Sequence, residues 1–453
     1  MKIVRLVDLC FRYQNSETIN LQHINLEIET GEFIVFTGKS GCGKSTLLNI
    51  ISGVLAKDGK NYFSGSMYLK QNAVLENDFE ELSPLVAMVF QNPEDQLFAE
   101  TVYEEVAFAL KNKRLPKEEI HKKVLTILQF VGLQGMEERD IRQLSGGQQQ
   151  RLALASMVVH EPELLILDEP LSQIDPQGAR DLLTLLCKLI KKYNMTILMA
   201  EHRLHEVLEF CHRLIIMEGG EIVSDNSIQK IVANALILKQ FSLRVPPALM
   251  ISEHFSIQPP TMDREILIKE MRKKEFHIDH TLPSAMERTG SDALILKNIT
   301  YKYGNHTGIN AISLCFKSNS FNALIGANGS GKSTLLKIIG GLLKPQNGKI
   351  ETGLQTSMIL QNPDLMLFNY TVKEEVLCEA YNKGVTVSTE DYERIMESFS
   401  LLTLEERFPL SLSKGQRFRV AIAGALLSGA RILLLDEPTT GQDIYNIEKI
   451  MEA

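Results

Sequence analysis

The sequence predicts an α/β fold built twice, each copy around a parallel core sheet. Three observations predict it. Short apolar runs alternate with helical patterns, as expected of parallel strands joined by crossover helices. Four motifs recur in the same order: GKSGCGKS at 38–45 and GANGSGKS at 326–333, QNPEDQLF at 91–98 and QNPDLMLF at 361–368, LSGGQ at 144–148 and LSKGQ at 412–416, and LLILDEP at 164–170 and ILLLDEP at 432–438. Their spacing also agrees, since Lys332 follows Lys44 by 288 residues, Gln361 follows Gln91 by 270, and Glu437 follows Glu169 by 268. Such a period marks a domain duplication and not a solenoid. The first copy carries 18 extra residues between the Gly-rich loop and the glutamine.

In chain order, FIVF at 33–36 and ALI at 323–325 are apolar runs that lead into the loops, and TLLNIISGVL and TLLKIIGGLL continue them as helices. The extra residues lie around KNYFSGSMYLKQNAVLENDFEEL at 60–82, a turn-rich polar stretch read as a surface insertion. LLIL and ILLL read as buried parallel strands. DPQGARDLLTLLCKLIKKYN reads as a helix, MTILMAEH as a strand, and RLIIMEGGEIV as a hairpin turning at Gly219-Gly220. Residues 226–292 form a helical appendage and linker between domains at 1–225 and 293–453. No histidine of the second copy answers His202, whose counterpart would fall past Ala453. The second domain is therefore read as incomplete at its C-terminus, ending inside the helix DIYNIEKIMEA.

Bulk properties exclude several classes. Apolar residues are 44% and charged residues 23%, ordinary values for a globular protein. No apolar run reaches the roughly 18 residues of a membrane span, and MKIVRLVDLCFRYQ is not a secretion signal. Six cysteines without CxxC spacing suggest neither a disulfide framework nor a zinc site. A net charge of −8 argues against nucleic acid as a partner. A cytosolic protein is expected.

The repeated motifs carry phosphate chemistry. GxxxxGK[ST] between a strand and a helix is the phosphate loop of P-loop NTPases, and it occurs twice. The backbone N–H groups of Gly38, Lys39, Ser40, Gly41, Cys42 and Gly43, and of Gly326, Ala327, Asn328, Gly329, Ser330 and Gly331, can curl around phosphates at a helix N-terminus. Lys44 and Lys332 would neutralise the outer phosphates. Ser45 and Ser333 would hold magnesium, with Thr46 and Thr334 beside them. Asp168 and Asp436 close apolar strands and can reach that ion, while Glu169 and Glu437 can polarise an attacking water. Ser145, Gly146, Gly147 and Gln148, and Ser413, Gly415 and Gln416, stand before helices and offer donors to a phosphate, although Ser145 alone would be an ordinary N-cap. The Cys42 thiol should be alkylated unless nucleotide covers it.

This order of phosphate loop, glutamine, LSGGQ, acidic pair and histidine resembles the nucleotide-binding domain of ABC ATPases, over about residues 1–225 and 293–453. The resemblance implies an ATPase that uses ATP and Mg2+, with two domains paired head to tail within the chain. Lys44, Gln91, Asp168, Glu169 and His202 would face Ser413 and Gly415. Lys332, Gln361, Asp436 and Glu437 would face Ser145, Gly146 and Gly147. It also implies that Tyr13 and Tyr303 stack on adenine, that Gln91 and Gln361 bind magnesium and sense a membrane partner, and that His202 contacts the terminal phosphate. Lys414 in place of a glycine departs from the pattern and would weaken the site that contains His202.

QNPEDQLF with ETVYEEVAF, its repeat QNPDLMLFNYTVKEEV, EHRLHEVLEFCHRLIIMEGGEIV and LKQFSLRVPPALM are similar to the energy-coupling-factor (ECF) branch of that family. For that branch the resemblance implies a transmembrane scaffold protein and a substrate-binding membrane protein as partners. It also implies a vitamin, vitamin precursor or metal ion as cargo, and a place on the cytoplasmic face of the cell membrane. The alternatives are an inactive ABC-type scaffold or fragment, and a ribosome-associated tandem ATPase.

Overall fold

The computed structural model describes residues 1–453 other than 15, 17, 40, 56–60, 71, 74–83, 173, 242, 274–289, 305–307, 328, 439–446 and 448–453. The chain divides into two compact units, 1–274 and 275–453. The strands of the first unit are β1 (Lys2–Arg12), β2 (Leu21–Glu29), β3 (Phe33–Thr37), β4 (Tyr62–Leu69), β5 (Asn72–Ala73), β6 (Val86–Val89), β7 (Leu164–Asp168), β8 (Thr196–Ala200), β9 (Arg213–Glu218) and β10 (Glu221–Ser227). They form an antiparallel sheet of order β2-β1-β4-β5 and a second sheet of order β10-β9-β3-β8-β7-β6. Within the second sheet β9, β3, β8, β7 and β6 are parallel, and β10 closes it through the expected hairpin.

The continuous apolar runs follow from burial on both faces. Phe33 and Val35 of β3 enter a core shared with helices Val102–Asn112, Gly146–Val158 and Pro176–Tyr193, while Ile34 and Phe36 face the core under β1, β2 and β4. Leu165 and Leu167 of β7 divide from Leu164 and Ile166 in the same way. Successive side chains of a strand point to opposite faces, so only an unbroken apolar run satisfies both layers. The helix Pro176–Tyr193 starts on an Asp175 N-cap and ends at Asn194 in the left-handed conformation, as local capping rules expect. Helices Ile228–Ala233, Leu236–Gln240, Pro247–His254 and Arg264–Arg272 follow, and Ile231, Leu238 and Leu249 join the helical-layer core.

Residues 62–69 correct the expected surface insertion. They form β4, paired with β1 from Arg12↔Tyr62 to Val4↔Leu69, with Met67 and Leu69 buried. The consecutive Ser64, Gly65 and Ser66 make the stretch look polar. Gly65 sits at a bulge with φ +89, where a Cβ would come within 2.4 Å of the Asp8 carbonyl. The part of the stretch at 74–83 lies outside the described residues.

The second unit repeats this plan with β11 (Asp292–Tyr301), β12 (Ile309–Lys317) and β13 (Asn347–Glu351) as an antiparallel sheet, and β14 (Thr356–Ile359) beside β15 (Ile432–Leu435) as a parallel pair. The run at 323–325 does not form the expected strand, and Ile325 is 89% exposed. In the first unit β8 and β9 flank β3. Among the described residues no strand pairs with 323–325. For the same reason ILLL is only partly buried, where LLIL is fully buried. The expected helix at 443–453 lies outside the described residues apart from Ile447. Among the described residues no helix is long and apolar enough to cross a membrane.

His160 follows the helix Gly146–Val158, and its Nδ1 is buried without a hydrogen-bond partner. Burial, then the Lys113 charge, depresses its pKa to about 4. The neutral imidazole is therefore native, and stability present above about 6.5 is lost as pH falls toward 4. The drop in unfolding midpoint between pH 7.5 and pH 5, followed by circular dichroism, is expected to be smaller in His160→Leu than in the unaltered chain.

Candidate functional site

The register of the parallel sheet decides where the motifs meet. Phe36 pairs with Ala200, Ala200 with Asp168, and Leu167 with Val89, so β3, β8, β7 and β6 end side by side. The loops that leave this edge carry residues 38–45, 201–203, 169 and 91. The carboxyl ends of parallel strands are where open α/β sheets bind ligands.

The phosphate loop needs its glycines for two reasons. Gly38 and Gly43 have φ of +144 and +103, and a Cβ would approach Met217 O to 2.1 Å or Leu21 Cδ2 to 2.7 Å. Lys44 opens the helix Lys44–Ile51 and folds back, its Nζ donating to the carbonyls of Gly38 at 3.0 Å and Lys39 at 3.1 Å. Ser45 Oγ donates to Asp168 Oδ1 at 3.1 Å. Burial raises the Asp168 pKa to about 6; the Ser45 bond opposes this, the Glu169 charge adds to it, and Lys44 and His202 offset it.

Glu169 lies just past the strand end with φ +46, and its N–H donates to the Ala200 carbonyl at 3.0 Å. This bend directs the carboxylate between two partners. Gln91 Nε2 donates to Oε2 at 2.7 Å, and His202 Nε2 lies 3.2 Å from Oε1. A largely shielded carboxylate held on both oxygens is suited to orienting a water. Tyr13 Oη lies 3.2 Å from Thr46 Oγ1, with its ring edge-on to Phe11.

The second unit reproduces these pairs. Lys332 Nζ donates to Gly326 O at 2.9 Å and Ala327 O at 3.0 Å, and Ser333 Oγ to Asp436 Oδ1 at 2.9 Å. Gln361 Nε2 donates to Glu437 Oε2 at 2.8 Å, and Glu437 has φ +50. Gly329 and Gly331 share the left-handed backbone of Gly41 and Gly43. Tyr303 lies 3.4 Å from Thr334 Oγ1. Ser40 and Asn328, and the side chain of Lys414, lie outside the described residues. Ser330 is exposed in the second loop.

The LSGGQ and LSKGQ residues each cap a helix within their own unit. Ser145 and Gln148 close a capping box on the helix Gly146–Val158, and Ser413 and Gln416 do the same on Lys414–Leu427, with Gly415 in its first turn. A Cβ at Gly146 meets nothing within 4 Å, and one at Gly147 meets only Ile174 at an ordinary distance, so internal packing does not require these glycines. Cys42 requires a correction: it is 5% exposed, and its Sγ lies 3.6 Å from Lys44 Nζ. The loop itself shields the thiol, so alkylation reports loop opening and not simply nucleotide cover.

Sequence reading passed over two features. Glu105, buried in helix Val102–Asn112, accepts the N–H groups of Phe98 at 3.1 Å and Ala99 at 2.9 Å. Glu375 does the same for Phe368 and Asn369, each at 2.7 Å. Both clamp the segment that follows the glutamine, and the repeated TVxEEV was the available signal. Glu201 and Arg203, on either side of His202, are the second feature.

Oxygen donors from Ser45, Asp168 and Gln91, and from Ser333, Asp436 and Gln361, fit Mg2+, a hard ion that keeps several waters. Among the described residues no cluster of three or more His, Cys, Asp or Glu could hold a metal; hydroxyl and amide oxygens would have to complete such a set.

The profile of the family described as ABC transporter matches residues 21–172 and 309–440. The chain belongs to this family. A Methanosarcina mazei protein named as an ABC transporter ATP-binding protein is 35% identical over 477 residues, 99% of this chain and 82% of its own. A Bacillus subtilis protein named for HMP/thiamine import ATP binding is 32% identical over 468 residues, 100% of this chain and 84% of its own. The structure of cbiO1 from Clostridium perfringens, part of the ABC transporter complex cbiONQ, is similar at 31% identity and a TM-score of 0.49, covering 56% of this chain and 99% of that one. This ABC ATPase is therefore an ATP-binding, ATP-hydrolysing subunit of a transporter, and ABC ATPases work with transmembrane partners. Tyr13, His202 and Tyr303 lie outside the matched stretches.

Removing a charged acceptor from two partly buried N–H groups costs about 2 kcal/mol. Glu105→Ala is expected to lower the unfolding free energy by that order in urea titrations, with Glu105→Gln recovering part of the loss.

Proposed function

We propose that this chain energises an ECF-type importer of a vitamin, a vitamin precursor or a metal ion, bound at the cytoplasmic face of the membrane to a transmembrane scaffold and a substrate-binding membrane protein. The similarity to the HMP/thiamine import protein along the whole chain supports this reading. The observation that carries the ATPase site is the convergence of Gln91 and His202 on the Glu169 carboxylate.

In this mechanism Lys44 turns from the loop carbonyls to the outer phosphates of ATP, and Tyr13 stacks on the adenine. Mg2+ held by Ser45, Gln91 and Asp168 would neutralise phosphate charge. Glu169 accepts a hydrogen bond from a water and aligns it, with His202 fixing the carboxylate from the other side. Lys332, Ser333, Gln361, Asp436 and Glu437 serve the second unit in the same roles. Head-to-tail pairing of the domains, which family resemblance implies, would bring Ser145–Gln148 and Ser413–Gln416 to the phosphates. Binding closes the pair and hydrolysis reopens it, so transport is two-state gating.

Glu169→Gln keeps the bond geometry but removes the charge. ATP turnover is expected to fall at least 100-fold while nucleotide binding persists. Captured with ATP from its own host, this variant should bring down a polytopic membrane protein. Recovery of ribosomes, or of no membrane protein, would overturn the importer reading. Base–aromatic stacking contributes about 1–3 kcal/mol, so Tyr13→Ala is expected to weaken ATP binding about tenfold by calorimetry, and Tyr13→Phe less than threefold.

A further inference from the structure

The turn that carries His202 is held from both ends by side chains without an assigned role. Glu201 is 2% exposed, and its own N–H donates to the Phe36 carbonyl at 3.0 Å, tying the turn to the strand that enters the phosphate loop. Its Oε1 accepts the N–H groups of both His202, at 2.8 Å, and Arg203, at 3.0 Å. Its Oε2 is buried with no hydrogen-bond partner. Arg203 then reaches across to the segment after Glu169, where Nη1 donates to Leu171 O at 2.7 Å and Ile174 O at 3.1 Å. Nη2 is paired with Glu206, itself buried, at 3.1 Å.

We infer that Glu201 and Arg203 are positioning residues that hold the His202 imidazole against Glu169. The inference rests on the proposed role of His202. Glu201 fixes the backbone on which the imidazole is carried, and Arg203 ties that backbone to the chain leaving Glu169. Both sides of the 3.2 Å His202–Glu169 contact are thus braced by one network. An apolar residue at 201 would leave two N–H groups without their acceptor, and the turn would be free to swing. A glutamine would keep an acceptor oxygen in place. Burial raises the Glu201 pKa, opposed by the Arg203 N–H and reinforced by the Glu169 charge.

A double-mutant cycle on ATP turnover of the full chain tests this. Glu201→Ala should lower kcat at least tenfold with KM for ATP within threefold, and Glu201→Gln should stay within threefold of the unaltered chain. Glu201→Ala/His202→Ala should be no slower than His202→Ala alone, with residual turnover read from radiolabelled ATP. An equal loss in both backgrounds would reduce Glu201 to a general structural role and overturn the inference. An unchanged kcat in Glu201→Ala, with His202→Ala impaired, would overturn it while leaving His202 in place. An unimpaired His202→Ala would remove the basis of both. Arg203→Met, which leaves Glu201 intact, runs the same cycle if the alanine variant does not fold.

Discussion

The site depends on the hydrogen-bond register among β3, β8 and β7. Phe36, Ala200 and Asp168 stand opposite one another, so the phosphate loop, the His202 turn and the Glu169 bend all leave the sheet at one level. A slip of one residue would turn every side chain to the opposite face. Because both faces of these strands are buried, such a slip would disrupt two cores at once. The packing that makes the strands uniformly apolar is therefore also what fixes the geometry of the site.

Three acids gather at that edge, and each is held differently. Asp168 is tied to Ser45, Glu169 lies between Gln91 and His202, and Glu201 is sunk beneath the turn and bonded to backbone N–H groups. Burial raises the pKa of both Asp168 and Glu201. Lys44, the nearest buried cation, is turned toward loop carbonyls. Phosphates and a divalent cation would relieve this arrangement, since the lysine gains a charged partner and the carboxylates a counter-charge.

The second unit separates local from long-range causes. Its run at 323–325 forms no strand, yet the Ser333–Asp436 and Gln361–Glu437 bonds match those of the first unit to within 0.2 Å. The pairing of Ile359 with Leu435, together with the packing of Leu335 and Ile338 against Met358 and Leu434, suffices to hold them. The acidic bend and the glutamine thus form a module carried by two adjacent strands, and the flanking strands of the sheet add burial.

The sequence by itself determined the duplicated α/β plan, the motif positions, the hairpin at Gly219-Gly220 and the helix cap at Ser145. These depend on periodicity and on residues a few positions apart. It also identified Lys44, Ser45, Gln91, Asp168, Glu169 and His202 as members of one set. Tertiary structure alone decided how each of these groups is packed and paired. It made β4 a core strand through pairing with β1, left 323–325 without a partner strand, shielded Cys42 inside its loop, and placed Glu105 and Glu201 as buried anchors of backbone N–H groups. The physical reason is that a buried carboxylate and a solvated one look alike in sequence, and only the packing around each decides which it is.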